Sequence, residues 1–377
     1  MINRTLESLL LTRFSARKAL IILGARQIGK TTLVNSLSTH VEKGEAIYLN
    51  CDDASIRNML SESNLPELRR IIGNAKMLII DEAQRIRNAG LLLKLITDNI
   101  PEIQLVVTGS SALDLASEIN ESLTGRKLEY HMYPVSWPEL VNYQGYIMSI
   151  QTLEQRMVYG MYPEIITRPN EAALLLRNLA GSYLYKDLYT LQGVRKPDLL
   201  EKLVTALAWQ IGHEVSYSEL ANKLQVSKET ISSYIDLLEK AFVVFRLSPF
   251  SRNLRNEITT SRKIYFYDTG IRNAVIDNFE PLSLRNDSGV LWENFMIAER
   301  LKVNSYAERF RHSYFWRSHA QQEIDYVEDW GGKLYAYEFK WNKAAKVKFS
   351  TTFTSNYPVA QTMVVTPETM ADFLSQT

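Results

Sequence analysis

Four short apolar runs, Ala19-Leu20-Ile21-Ile22-Leu23, Ile47-Tyr48-Leu49, Met77-Leu78-Ile79-Ile80 and Leu105-Val106-Val107, and a mixed stretch from Lys127 to Met132 recur at helix-length intervals in the first third of the chain. Runs this short and this uniformly apolar predict strands buried on both faces, and their alternation with helices predicts a doubly wound parallel sheet of the α/β class. The expected strands are 19–24, 47–51, 76–81, 104–108 and 127–132, in a domain covering 1–145. The period then lengthens. Leu174, Leu175, Leu179 and Tyr183 recur at three-and-four spacing, which predicts a helical connector over 146–205. Within 206–275, Ser216-Tyr217-Ser218-Glu219 has the form of a capping box, and Ser227 precedes a second helix ending at Lys240. The strand-like runs Phe242 to Leu247 and Lys263 to Asp268 follow, so the segment predicts a winged helix-turn-helix. A last domain, 285–377, opens on a helix around Leu291, Trp292, Phe295, Ala298 and Leu301 and continues into two strand-like runs joined at Gly331-Gly332, a two-residue hairpin signal.

Composition bounds the reading without directing it. The 377 residues, 46% hydrophobic and 23% charged, describe a globular chain with room for several cores. Forty-three basic against forty-two acidic residues leave a net charge of +1, so a nucleic-acid surface must be a local patch. The single cysteine, Cys51, excludes an internal disulfide and a Cys-rich zinc site. No apolar run approaches a membrane span and the first residues lack the pattern of a signal peptide, so the expected compartment is cytoplasmic.

The chemistry begins at residues 24–31, Gly-Ala-Arg-Gln-Ile-Gly-Lys-Thr, a G-x-x-x-x-G-K-S/T phosphate loop set between an apolar strand and a helix. Gly24, Ala25, Arg26, Gln27, Ile28, Gly29, Lys30, Thr31 and Thr32 are the expected nucleotide-binding positions. The glycines let backbone N–H groups face the phosphates, Lys30 reaches the β and γ oxygens, and the Thr31 hydroxyl ligates Mg²⁺. The strand Met77 to Ile80 delivers Asp81-Glu82 to the carboxyl edge of the sheet, where Asp81 is expected to hold Mg²⁺ and Glu82 to polarise the attacking water. Ser110 or Ser111, after the fourth strand, either senses the γ-phosphate or caps the following segment. Arg126 is the candidate for a charge-stabilising arginine, with a surface arginine as the alternative, and Arg26 is a weaker candidate.

Together with Ile-Asp-Glu-Ala-Gln (80–84), Val-Thr-Gly-Ser-Ser (107–111), Leu-Thr-Gly-Arg (123–126) and Tyr-Pro-Glu (162–164), the loop resembles the AAA+-type ATPases of prokaryotes that carry a C-terminal domain of unknown function. The likeness extends over essentially the whole chain, with Ala25 standing where the family usually has Pro. The resemblance implies an ATPase of the additional-strand class, with ATP and Mg²⁺ as its ligands.

In the winged segment, the second helix offers Lys228, Glu229, Thr230, Ser232, Ser233 and Asp236, a poor phosphate-binding face, whereas Arg246, Arg252, Arg255, Arg262 and Lys263 cluster in the wing. DNA contact and a packing or hinge role both stand. In the hairpin, pairing Trp330 with Lys333 sets Asp325 opposite Glu338 and Glu323 opposite Lys340. Tyr335, Tyr337, Phe339 and Trp341 then share a core face, with Glu338 and Lys340 on the other. Two carboxylates facing each other across a ladder, their roots about 5 Å apart, call for a neutralising cation. Asp325, Glu338 and Lys340 resemble the D…E-x-K constellation of the restriction-endonuclease-like, PD-(D/E)xK, fold, with Ile324 in place of the usual Pro. That resemblance implies that Asp325 and Glu338 hold Mg²⁺ while Lys340 positions water. Glu293 either completes the site or is a solvated helix glutamate. The expected function is an ATPase whose nucleotide state controls a nuclease-like, DNA-engaging module. The rival is an ATP-dependent switch or scaffold that binds a protein partner through an inert copy of that fold; neither reading sets the oligomeric state.

Overall fold

Where the phosphate loop meets Mg²⁺ chemistry depends on strand order, and the strand order is parallel and permuted. The computed structural model describes residues 1–14, 17–42, 44–110, 122–184, 196–251, 262–318, 320–344 and 347–376. The chain divides into two compact units, Met1–Val135 with Lys240–Phe242, and Ser136–Glu239 with Val243–Thr377.

The first unit holds β1 (Ala19–Leu23), β2 (Ala46–Asn50), β3 (Met77–Asp81), β4 (Gln104–Gly109) and β5 (Lys127–His131), within a residue of the expected bounds. All pair in parallel in the order β2-β3-β4-β1-β5. The three central strands are apolar and buried because crossover helices cover both faces of such a sheet; only the edge strands carry exposed positions. Because β4 lies between β1 and β3, the end of β3 and the loop after β1 flank the end of β4, which brings the two predicted nucleotide motifs within side-chain reach.

The second unit spans the three segments expected after residue 145. Its first helix, Trp137–Gln144, begins eight residues before the expected boundary at 145, with Glu139 Oε2 accepting the Ser136 N–H at 2.8 Å. Helices Pro197–Trp209, Tyr217–Leu224 and Lys228–Lys240 surround the short β6 (Glu214–Val215), and β7 (Val244–Pro249) and β8 (Arg262–Phe266) follow. Serine caps hold the turn, as Ser216 Oγ accepts from Glu219 N at 3.3 Å and Ser227 Oγ from Thr230 N at 3.2 Å. β9 (His312–Arg317), β10 (Glu323–Trp330), β11 (Lys333–Phe339) and β12 (Val359–Val365) complete a seven-stranded sheet, β12-β11-β10-β9-β7-β8-β6. The winged segment and the last domain contribute to one sheet, because β7 pairs with β8 on one edge and with β9 on the other, at Ser248↔Tyr314 and Pro249↔Phe315. An edge strand is stabilised by covering its unpaired backbone, and here the neighbour is the next segment of the same chain.

The hairpin has the expected register, with Trp330↔Lys333 through Tyr326↔Tyr337. Its faces differ from the expectation. Tyr337 and Phe339 pack on Tyr326 and Phe373, yet Leu334 and Ala336, which share the face of Glu338, are buried with Trp316, Val327 and Phe353. Both faces are core, so Glu338 lies in low-dielectric surroundings. Trp341 falls beyond the strand, its ring 5.5 Å from that of Trp292.

Candidate nucleotide site and a second acidic centre

The phosphate loop is built from three backbone constraints. Gly24 follows β1, and a Cβ there would lie 2.2 Å from the Met132 carbonyl oxygen, so only glycine fits. Gly29 adopts φ +97°, a left-handed conformation that turns the chain into the helix Lys30–Ser38. Arg4, buried, donates from Nη1 to Ile28 O at 2.7 Å and from Nη2 to Tyr133 O at 2.5 Å, tying the loop to the end of the sheet. Lys30 Nζ donates to Gly24 O and Ala25 O, each at 2.8 Å, so its ammonium is folded over the loop that a triphosphate would occupy. Arg26, Gln27 and Thr32 belong to the same turn and its first helical residues.

Asp81 is the hub of the site. Its Oδ2 accepts from the Thr31 hydroxyl at 2.8 Å and from the Tyr48 hydroxyl at 2.6 Å, and its Oδ1 from the Thr108 hydroxyl. Burial and then Asp81 raise the Tyr48 phenol, which keeps it a donor, and burial and then Asp81 push the Cys51 thiol up to about 12, which removes it as a nucleophile. Thr108 also accepts the Glu82 N–H at 3.1 Å, fixing Glu82 in a left-handed conformation, φ +57°. Ser110 lies beside them, its Oγ accepting from Gln84 Nε2 at 2.8 Å. Lys30, Thr31, Asp81, Glu82 and Ser110 are therefore brought to one edge of the sheet. Ser111 falls outside the described residues.

Arg126 is not brought there. It immediately precedes β5 and pairs with β1 at the opposite, amino-terminal edge, where Ala19 N donates to Arg126 O at 2.9 Å. Its guanidinium forms an ion pair with Asp98 at 2.5 Å. The expectation of a transition-state arginine for its own loop is corrected by this placement, since a five-residue strand separates the two edges by about 16 Å.

The Thr31–Asp81 contact fits a Mg²⁺ site, because Mg²⁺ in nucleotide sites keeps several waters and takes one hydroxyl, one carboxylate and substrate phosphates. The second unit differs. Asp325 Oδ2 accepts the Phe339 N–H at 2.9 Å and lies 3.4 Å from Lys340 Nζ, which is 3.1 Å from Glu338 Oε2. Lys263, fully buried on β8, pairs with Glu293 at 3.2 Å and with Glu323, and Tyr265 donates to Glu293 at 2.5 Å. Lys340 thus pairs with Asp325 and Glu338 rather than with Glu323. Glu293 is not a solvated helix glutamate; it is buried and capped by Lys263 and Tyr265. Among the described residues no three histidine, cysteine, aspartate or glutamate groups are arranged to hold a metal ion, and the ammonium groups of Lys340 and Lys263 lie against these carboxylates.

Of the wing cations, Lys263 is consumed by this centre, and Arg246 is paired with Asp236 at 2.7 Å and with Glu239. Arg252 and Arg255 lie outside the described residues. The expectation of a phosphate-binding wing thereby loses Lys263 and Arg246, because each sits beside carboxylates contributed by neighbouring elements.

Burial pushes Glu293 up to about 7 against the pull of Lys263, and burial with Asp325 pushes Glu338 up to about 7 against Lys340. Both lie above the unfolded value near 4.5. Stability from proton uptake is then complete at low pH and is lost as pH rises through 7. The melting temperature of the second unit is expected to fall between pH 5.5 and pH 8 by about several degrees, and Glu338→Gln to flatten the profile, as thermal scans across that range would read.

The nucleotide residues were legible because they are contiguous or end an apolar run. Thr108, Tyr48, Gln84 and Arg4 were missed as site residues. A hydroxyl inside the buried strand Leu105–Thr108 was a usable signal for Thr108; for Arg4, distant in sequence from every partner, there was none.

Residues 16–141 match a family described as an AAA domain, residues 150–282 a domain of unknown function (DUF8612), and residues 288–376 a further domain of unknown function (DUF4143). An uncharacterized protein of Mycobacterium tuberculosis is 29% identical over 332 residues, covering 85% of this chain and 69% of that protein. An uncharacterized protein of Methanocaldococcus jannaschii is 25% identical over 347 residues, covering 86% and 74%. Among solved structures, the Walker-type ATPase PABY2304 of Pyrococcus abyssi is similar with a TM-score of 0.55 at 16% identity, over 73% of this chain and 96% of that one, a likeness of fold. No helix among the described residues is long and apolar enough to cross a membrane. With a phosphate loop after β1, a carboxylate hub on β3 and β4 between them, residues 16–141 have the P-loop NTPase fold and match the AAA domain family.

Proposed function

We propose that this chain hydrolyses ATP with Mg²⁺ at the edge of its parallel sheet and uses the nucleotide state to switch the second unit between conformations that engage a partner. The observation that carries the first part is the shared carboxylate: Asp81 contacts the Thr31 hydroxyl at 2.8 Å, so the two can approach one cation. Mg²⁺, when bound, offsets charge on the phosphate oxygens. Lys30 leaves the loop carbonyls for the β and γ oxygens, the loop N–H groups and the helix amino terminus hold the phosphates, and Glu82 accepts the proton of the attacking water. In the second unit, the element order from Pro197 to Phe266 supports a winged-helix reading, and the hairpin carrying Asp325, Glu338 and Lys340 supports a restriction-endonuclease-like one. Lys263, seated between the neighbouring Glu293 and Glu323, favours an inert copy used as an interface for protein or DNA.

The second reading, a Mg²⁺-dependent nuclease under nucleotide control, is favoured by the placement of Asp325 and Glu338 on either side of Lys340. One assay separates them, measuring phosphate release from ATP and nicking of supercoiled DNA in the same Mg²⁺-containing reaction. Phosphate release without nicking is the expected result. Nicking lost in Asp325→Ala while phosphate release persists would replace it with the nuclease, and absence of phosphate release would overturn both.

A further inference from the structure

Gln84, two residues after Glu82 on the short helix Ala83–Arg85, turns its amide back across the nucleotide site. Its Nε2 donates to Glu82 Oε2 at 2.5 Å and to Ser110 Oγ at 2.8 Å. Both amide hydrogens are committed, while Oε1 is buried with no hydrogen-bond partner. A buried acceptor left unsatisfied is unfavourable, so the amide is placed for its two donors. Turned over, it would set Oε1 against the Glu82 carboxylate. The arrangement has a second consequence at Ser110. A hydroxyl has one proton to give and two lone pairs to receive with; because Ser110 Oγ accepts from Gln84, its own proton is directed elsewhere.

We propose that Gln84 is a positioning residue for ATP hydrolysis, holding the Glu82 carboxylate beside Ser110 and making the Ser110 hydroxyl a donor toward the γ-phosphate. The proposal rests on the reading of Glu82 and Ser110 as groups of the nucleotide site. In the reaction served, the water oxygen bonds to the γ-phosphorus, its proton passes to Glu82, and the bond from the γ-phosphorus to the bridging oxygen breaks with ADP leaving. One amide thus sets the acceptor of the proton and a contact of the transferred group in register. Thr108 does the same for the backbone, receiving the Glu82 N–H while donating to Asp81.

Gln84→Met in the full chain keeps the side-chain length and removes both donors. The expected result is a fall in kcat of about 10- to 100-fold, as for a reacting group displaced by about 1 Å, with affinity for a non-hydrolysable ATP analogue and melting temperature unchanged. In Ser110→Ala and in Glu82→Ala backgrounds the same substitution should cost less than it does alone, since one of the two contacts it breaks is already gone. Turnover at the unsubstituted rate would overturn the proposal while leaving the ATPase reading intact. Parallel losses of turnover, binding and melting temperature would overturn it in favour of a structural role, as would an undiminished cost in the two backgrounds. Absence of ATP turnover in the unsubstituted chain would overturn both.

Discussion

Lys30→Ala is expected to remove ATP turnover, by about 100-fold or more, while the second unit keeps its melting temperature. The side chain has two jobs that no neighbour duplicates. Its ammonium donates to Gly24 O and Ala25 O at 2.8 Å, holding together the start of the loop where Gly24 approaches Met132. When triphosphate is bound, the same ammonium is the loop's cation, acting where water is excluded and each charge interaction is stronger. Lys30→Arg should fail as well, because a planar guanidinium cannot replace a compact ammonium within the turn. Phosphate release at saturating ATP, measured beside a thermal scan, checks the prediction; turnover within about twofold of the unsubstituted chain would remove Lys30, and with it this loop, from the chemistry.

Glu328→Ala is expected to be the most damaging single substitution in the second unit. Glu328 is fully buried on β10, and it receives Arg300 Nε and Nη2 at 2.8 Å each and Arg311 Nη1 at 2.6 Å, with Asn304 adding a bond at 3.1 Å. Burial opposes its charge, but the two guanidinium groups outweigh that and hold its carboxyl below the ordinary value. Removing it leaves two cations in the core without their counter-charge, a loss of about 3–5 kcal/mol. For a unit of this size that lowers the melting temperature by about 10 °C or more. Arg300 also donates to Phe373 O and Arg309 to Gln376 O, so the helix Met370–Ser375 should loosen along with it. Calorimetry would read both effects, and a melting temperature unmoved by Glu328→Ala would show that Arg300 and Arg311 find other partners. An apolar replacement of all three groups should recover part of the loss, since it removes the buried charges together.

Much of the first unit was legible in local pattern. Each central strand is a short apolar run, the phosphate loop is eight consecutive residues, and Asp81-Glu82 ends the third run, so spacing along the chain carried both fold and chemistry. The hairpin register was legible too, because Gly331-Gly332 fixes the turn and the period of two carries the pairing outward to Asp325 and Glu338. Legibility ended where a side chain's partner comes from another element. Lys263 reads in sequence as one cation of a wing and lies in the structure at the foot of β8 between Glu293 and Glu323. Arg126 stands in a motif beside the phosphate loop's companions, yet pairs with Asp98 at the far edge of the sheet.

By itself the sequence determined that the chain has a nucleotide loop, a parallel sheet to carry it, and a hairpin with two facing acids, since each of these is set by residues close together along the backbone. Only the tertiary structure decided that β4 separates β1 from β3, which gathers Tyr48, Thr108 and Thr31 onto Asp81, and that β7 joins β9 in one seven-stranded sheet. The physical reason is the same in both cases. Periodicity specifies which face of an element is buried, whereas the neighbour it is buried against, and hence whether a charged group meets water, an opposite charge or a substrate, follows from strand order and pairing across long stretches of chain.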